Sequence, residues 1–147
     1  MVKVNVIGFK ELEAKLKKLP DTLKKEVGTE VQLGGQMLVN LAKRSLASGM
    51  LKHPTGQLEG SIAKVPVGQS PGLHCEVTVG KHYAPYIEWG TITKVKVPSE
   101  LATYAAQFKG EGLRKNGGIT PRPFFFKHIP AVRKEILQNL ENVLTDI

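Results

Sequence analysis

The chain has almost no cysteine, few aspartates and no long apolar run. Cys75 is the only cysteine, which excludes an intrachain disulfide and a metal site built from several cysteines. No apolar stretch approaches the roughly 20 residues of a membrane span. The amino-terminal MVKVNVIGFK lacks the apolar core and cleavage site of a signal peptide. We therefore expect no membrane association and a cytoplasmic location before assembly or release.

Motifs of the common catalytic and nucleotide-binding classes are also missing. The sequence has no GxSxG element, and Asp21 and Asp146 are its only aspartates. The glycine-rich KGEGLRKNGG matches neither a Walker loop nor a dinucleotide fingerprint. His74 and His82 flank Cys75, but adjacent strand residues face opposite sides and no further ligands follow at zinc-site spacing. We predict a protein without catalytic activity, metal or cofactor.

Length and composition are those of one globular domain. The chain has 147 residues, of which 41% are hydrophobic and 23% charged, as in soluble globular proteins. A second full domain would be hard to fit in this length. We predict a single domain over residues 1–147.

Positive charge is concentrated in one part of the chain. The formal net charge is +8, and residues 91–134 contain nine basic residues against two acidic ones. Glycines interleave with the charges in residues 91–120, which favours a long basic loop. Such a segment attracts polyanions such as DNA without reading bases, or it is simply a solvated loop. The candidates for contact with DNA are Lys94, Lys96, Lys109, Arg114 and Lys115.

Apolar residues recur at helical spacing in three places, near residues 9–19, 23–46 and 129–144. Pro20 separates the first two stripes, and Gly49 is a plausible end of the second. Gly34 and Gly35 weaken the second helix and indicate a kink or a close helix contact.

Alternating residues predict the strands. Leu73, Cys75, Val77 and Val79 alternate with polar residues, and the segment ending at Val67 makes a natural antiparallel partner. HPTGQLEGS has turn composition, and residues 83–88 are predicted to form a further strand interrupted by its proline. The predicted class is α+β: an antiparallel sheet packed by a long N-terminal helix or helix pair and a C-terminal helix, with a long basic loop.

Glu88 is the charged residue of greatest interest. It lies between the large apolar Ile87 and Trp89, so its carboxylate needs a partner if it is desolvated. Arg122, between two prolines, offers a planar fork suited to a carboxylate. The alternative is a solvent-facing strand position without a partner, because alternation places Glu88 opposite its neighbours.

Aromatic residues cluster around the same two segments. Phe124, Phe125 and Phe126 cannot all face one core from an extended segment, so at least one should meet a neighbouring helix or subunit. Stacking on single-stranded nucleic acid is the other use of such rings, but the flanking prolines favour packing. Tyr83, Tyr86 and Trp89 complete the set of candidate interface or packing residues.

Several segments follow one another in a characteristic order: GFKELEAKLKKLP, TGQLEGSI, YAPYIEWGT, a variable loop, PRPFFF, and PA opening the last helix. This order resembles that of the phage tail-completion family, minor components of the head-to-tail neck of long-tailed phages. The resemblance covers almost the whole chain.

The resemblance implies a non-enzymatic, hexameric ring of the virion neck, which joins the head connector to the tail tube around the DNA channel. A closed ring needs two different complementary surfaces on each subunit, and the two aromatic segments are candidates for them. A basic loop facing inward would suit a channel that holds DNA. The alternatives are a tail-tube terminator protein and a stand-alone basic nucleic-acid-binding domain, of which only the last needs no ring.

Overall fold

The computed structural model describes residues 2–4, 18, 20–51, 55–65, 74–91, 99, 102–103 and 118–145. The predicted first helix, over residues 9–19, and the basic loop lie almost wholly outside these ranges. The described elements form an α+β arrangement in which a small antiparallel sheet packs against two long helices, as the sequence predicts.

The long helix α1 spans Asp21–Ser45 and passes into a π-type turn at Leu46–Met50. Asp21 lies in the first turn, where its negative charge interacts favourably with the positive end of the helix dipole. Gly49 adopts φ 79°, the left-handed conformation typical of a glycine that ends a helix. The predicted stop is therefore confirmed.

The sheet has the order β1-β3-β2, with β1 at Val2–Val4, β2 at Ile62–Val65 and β3 at Glu76–Val79. Both pairings with β3 are antiparallel, and Val79 faces Val2 on one side and Ile62 on the other. The expected pairing of β2 with β3 is confirmed. Strand β1 is an additional strand that the sequence patterns above do not predict.

Two short helices and the final helix complete the described elements. Helix α2 spans Gln57–Gly60, α3 spans Ala84–Trp89, and a 3-10 turn at Phe126–His128 leads into α4 at Ile129–Thr145. Helix α4 is the predicted C-terminal helix. None of the described helices combines the length and the apolar character that crossing a membrane requires.

The pair of glycines in α1 allows two close approaches. A Cβ at Gly34 would collide with Ile136 of α4, and one at Gly35 would collide with the thiol of Cys75. Of the two interpretations of these glycines, the close contact is therefore confirmed. Burial raises the pKa of the Cys75 thiol, which Lys64 lowers in part.

The core lies between α1, the sheet and the segment that precedes α4. Its largest fully buried side chains come from α1, from β2 and from the segment that precedes the 3-10 turn. They are Phe124, Phe125, Ile62 and Val27. Phe124 and Phe125 thus belong to the same core cluster as α1, β2 and β3. The PRPFFF segment is consequently a structural part of the core.

Candidate functional site: the Glu88 clamp

The YAPYIEWGT segment is helical, so the strand predicted for residues 83–88 is wrong. Ala84, Pro85, Glu88 and Trp89 are its buried residues, and this spacing belongs to one face of a helix. Pro85 lies in the first helical turn, where its fixed φ and missing N–H are tolerated. This proline is therefore part of a helix start and does not interrupt a strand.

Helix α3 ends at Gly90, which brings two distant parts of the backbone together. Gly90 adopts φ 64°, and a Cβ there would lie 2.5 Å from the nitrogen of Pro121 and 2.6 Å from the carbonyl oxygen of Ile119. The Thr91 N–H donates to the Ile119 carbonyl at 2.8 Å, and the Ile119 N–H donates to Thr91 Oγ1 at 2.8 Å. Only glycine fits this crossing without strain.

The Glu88 carboxylate accepts three successive backbone N–H groups from the PRPFFF segment. Oε2 accepts from Phe124 at 2.8 Å and from Phe125 at 3.0 Å, and Oε1 accepts from Phe126 at 3.1 Å. These donors lie at the entry to the 3-10 turn and α4, where helical N–H groups lack partners within the helix. Glu88 therefore acts as a helix cap from 36 to 38 residues away. We call this arrangement the Glu88 clamp.

Burial and hydrogen bonding shift the pKa of the Glu88 carboxyl in opposite directions. Glu88 is only 4% exposed and is the one buried charged side chain among the described residues. Burial raises the pKa of the Glu88 carboxyl, while the three N–H donors and the Lys127 charge lower it in part. Because both oxygens are occupied by backbone donors, the carboxylate is placed to hold two chain segments together rather than to meet a substrate.

Within the subunit, neither interpretation of Glu88 from the sequence holds. Glu88 is not a solvent-facing strand residue, and it forms no ion pair with Arg122 of the same subunit. Arg122 contributes its backbone instead, because its N–H donates to the Ile87 carbonyl at 2.7 Å. The segments of Arg122 and Glu88 are in contact, as expected, but the partner of the carboxylate is main chain.

The aromatic residues of the two segments meet around the clamp. Trp89 stacks on Phe126 with a centroid distance of 5.4 Å and an angle of 12°. Phe125 meets Phe126 edge-on at 5.3 Å. Trp89 and Phe125 are buried in the subunit together with Phe124, so these rings do not form the exposed interface that the sequence suggests for them. Phe126 is half-buried and packs against the core cluster.

The two tyrosines lie at the edge of this unit. Tyr83 and Tyr86 are half-buried, and Tyr83 contacts the His82 ring edge-on at 5.5 Å. Both keep part of their surface exposed. The DNA-channel candidates lie outside the described residues; they are Lys94, Lys96, Lys109, Arg114 and Lys115.

A polar contact connects the end of α1 to the 3-10 turn. Ser45 Oγ lies 2.7 Å from His128 Nε2. Burial lowers the pKa of the His128 imidazole, and the Lys127 charge lowers it further. The two residues are 83 positions apart, so no local sequence pattern could have paired them. Among the described residues, no cluster of three or more His, Cys, Asp or Glu could hold a metal ion.

Comparison with known proteins adds no relative. No protein-family model, curated protein or solved structure matches this chain. Its function is therefore inferred from the residues and their arrangement.

Proposed function

We propose that this chain is a structural component of the phage neck, a tail-completion ring that joins the head connector to the tail tube around the DNA channel. The observation that supports it best is the Glu88 clamp. The YAPYIEWGT and PRPFFF segments, which most directly suggest the resemblance, form one rigid unit held by Glu88 and the backbone of Phe124, Phe125 and Phe126. A fixed unit of this kind suits a part that must present the same surface in every copy of a ring.

The burial pattern favours the long helices as ring surfaces. Leu137 and Leu144 are 40% and 44% exposed, and their spacing of seven places them on one side of α4. Leu33 on α1 is 56% exposed. Large exposed apolar residues on two helices are candidates for the two complementary surfaces that a closed ring requires. They replace the buried aromatic rings in that role.

Ring formation is tested with the purified protein. Light scattering coupled to size-exclusion chromatography should give the mass of a hexamer, and electron microscopy should show rings. Leu137→Glu should shift the mass to that of the subunit while the circular dichroism spectrum is unchanged. Gln138→Glu adds the same charge at an exposed neighbouring position of α4 and serves as the matched control. A wild-type protein that stays monomeric would contradict the ring.

The role in the virion is tested by removing the gene. Particles assembled without this protein should accumulate as filled heads and separate tails that fail to join stably. Restoring the gene in trans should restore joining. Normal infectious particles from the deletion would refute the neck function.

The two alternatives give different outcomes. A tail-tube terminator also forms a ring, but its deletion should give tails of abnormal length rather than unjoined tails of normal length. A stand-alone nucleic-acid-binding domain is favoured by the charge of residues 91–134. It predicts DNA binding by a monomer, with no ring and no unjoined particles.

A further inference from the structure

Helices α1 and α4 form an antiparallel pair. Gly34 of α1 lies against Ile136 of α4. Ser45, further along α1, is within hydrogen-bond distance of His128, which comes just before α4. Ascending positions of α1 therefore meet descending positions of α4, and the pair has two long sides that can be told apart by the residues on them.

The exposed leucines Leu33 and Leu137 lie on opposite sides of this pair. Glu30 and Leu33 are three positions apart and so share one side of α1. Because Glu30 accepts a hydrogen bond from Asn139 of α4, Asn139 lies on that same side. Leu137 precedes Asn139 by two positions, which is about 200° around a helix. This angle places Leu137 on the other side of the pair.

The side of Leu33 is acidic. Glu26 and Glu30 precede Leu33 by seven and three positions, so both carboxylates lie on its side of α1. Glu26 and Leu33 are exposed, and Glu30 is half-buried. We call these three residues the α1 patch.

The side of Leu137 has a base at the corresponding place. Arg133 precedes Leu137 by four positions and Leu144 follows it by seven, so all three lie on one side of α4. All three are exposed. We call them the α4 patch. Each patch is thus an exposed leucine with charge toward the amino-terminal end of its helix, and the two charges are of opposite sign.

We propose that the α4 patch of one copy of this chain docks on the α1 patch of the next copy, with Leu137 against Leu33 and Arg133 beside Glu26. The two helices run parallel in this contact, because only then does the base before Leu137 meet the acid before Leu33. Opposite charges placed in this way fix the register of an interface. The inference rests on the proposed ring and specifies its contact: two fitting patches on opposite sides of a subunit let the same contact repeat from copy to copy.

Two-fold pairing of the α4 patch with itself is the competing arrangement. It would run two α4 helices antiparallel around Leu137 and bring Arg133 against Glu141, an exposed residue four positions after that leucine. Leu33, the most exposed large apolar side chain among the described residues, would then stay uncovered, and so would Glu26. Docking of α4 on α1 covers the leucines of both patches and is therefore favoured.

Mixing two variants tests which patches meet. Leu33→Glu disables the α1 patch and Leu137→Glu disables the α4 patch, so each variant alone should be monomeric in analytical ultracentrifugation. An equal mixture should form a dimer with one copy of each variant and nothing larger, because one intact patch of each kind remains. Gln138→Glu, on neither patch and exposed, should keep the wild-type mass. Circular dichroism checks that every variant is folded.

Charge reversal tests the ion pair in the contact. Arg133→Glu and Glu26→Arg, each alone, should raise the concentration needed for assembly at least about tenfold, because like charges then meet. The protein that carries both substitutions should assemble within about threefold of the wild-type concentration, since every contact again joins opposite charges.

The outcomes separate this inference from the ring itself. If both leucine variants still form the wild-type ring, the docking is wrong and the ring uses other surfaces. If Leu33→Glu alone is a dimer, two-fold pairing of α4 replaces the docking. A mixture that stays monomeric beside a wild-type ring also overturns the docking, and so does a doubly reversed protein that assembles no better than the single variants. Monomeric wild type overturns both the docking and the ring.

Discussion

Glu88 Oε2 accepts the backbone N–H of Phe124 at a distance of 2.8 Å, deep inside the subunit. The same oxygen also accepts from Phe125, and the other oxygen accepts from Phe126. A glutamine has the same shape but only one acceptor oxygen, and its amide would face a donor. The carboxylate is thus the group that this backbone requires.

Glu88→Gln should lower the free energy of unfolding by about 1–3 kcal/mol, because at least one buried N–H loses its acceptor. Glu88→Ala should cost more, since all three donors lose theirs. Urea unfolding followed by the fluorescence of Trp89, the only tryptophan, measures both. Glu135→Gln, at an exposed position of α4, is the control and should unfold like wild type. Equal midpoints for Glu88→Gln and wild type would rule out the clamp.

The long elements could be predicted because apolar side chains recur along them at a regular spacing. Helices α1 and α4 show apolar residues at helical spacing, and polar and apolar residues alternate along β3. Strand β1 has the same alternation in Val2 and Val4, so the amino-terminal sequence does carry a strand signal. With three residues, that signal is too short to predict a strand without its partner β3.

The site could be predicted only in part. The position of Glu88 between two large apolar residues predicts a partner for its carboxylate if that group is desolvated, but the partners are backbone N–H groups, which no side-chain pattern reveals. The residues of helix α3 predict a strand because aromatic and β-branched residues favour strands, whereas burial of Ala84, Pro85 and Trp89 favours a helix. Tertiary packing decided the conformation of this short segment.

Gly90→Ala should be much more destabilising than Gly49→Ala. Both glycines have positive φ, but a Cβ at Gly49 meets no described residue within 4 Å, while one at Gly90 meets the backbone of Ile119 and Pro121. Gly49→Ala should cost about 1–2 kcal/mol from conformation alone, and Gly90→Ala about 2–5 kcal/mol because overpacking is added. Urea unfolding measures both. Similar costs would show that the crossing at Gly90 adapts to a side chain.

His128 should make stability fall on mild acidification. Its pKa in the folded chain lies below the usual 6.5, so between these values the unfolded chain binds more protons. This contribution to stability is therefore present above pH 6.5 and is lost as the pH falls through the folded pKa. The raised pKa of Glu88 has the opposite effect, because the contribution of Glu88 to stability is lost as pH rises.

Comparison of wild type with His128→Asn separates the effect of His128 from that of Glu88, because the variant lacks the imidazole and keeps the Glu88 carboxyl. We expect the melting temperature of wild type, measured from pH 8 to pH 5, to fall relative to that of the variant below pH 6.5. Above that pH the difference should be constant. Parallel curves over the whole range would contradict a lowered pKa for His128.

The basic segment from Lys94 to Lys115 should bind DNA through phosphates and without sequence preference. Replacing Lys109, Arg114 and Lys115 by glutamine should weaken binding equally for unrelated sequences, because no helix or ribbon suited to a groove is predicted there. The slope of log K against log salt should fall by about 0.9 for each phosphate that no longer meets a basic side chain. Fluorescence anisotropy with labelled duplexes at several salt concentrations measures both quantities.

The matched control for the basic segment makes the same change at three exposed basic residues of the long helices: Lys25, Arg44 and Lys134. If the two triple variants lose affinity and slope equally, net charge alone explains the binding. The basic segment then contacts DNA no more than the basic residues of the helices do. If only the variant in the basic segment changes, while ring mass is unchanged, the segment contacts DNA independently of assembly.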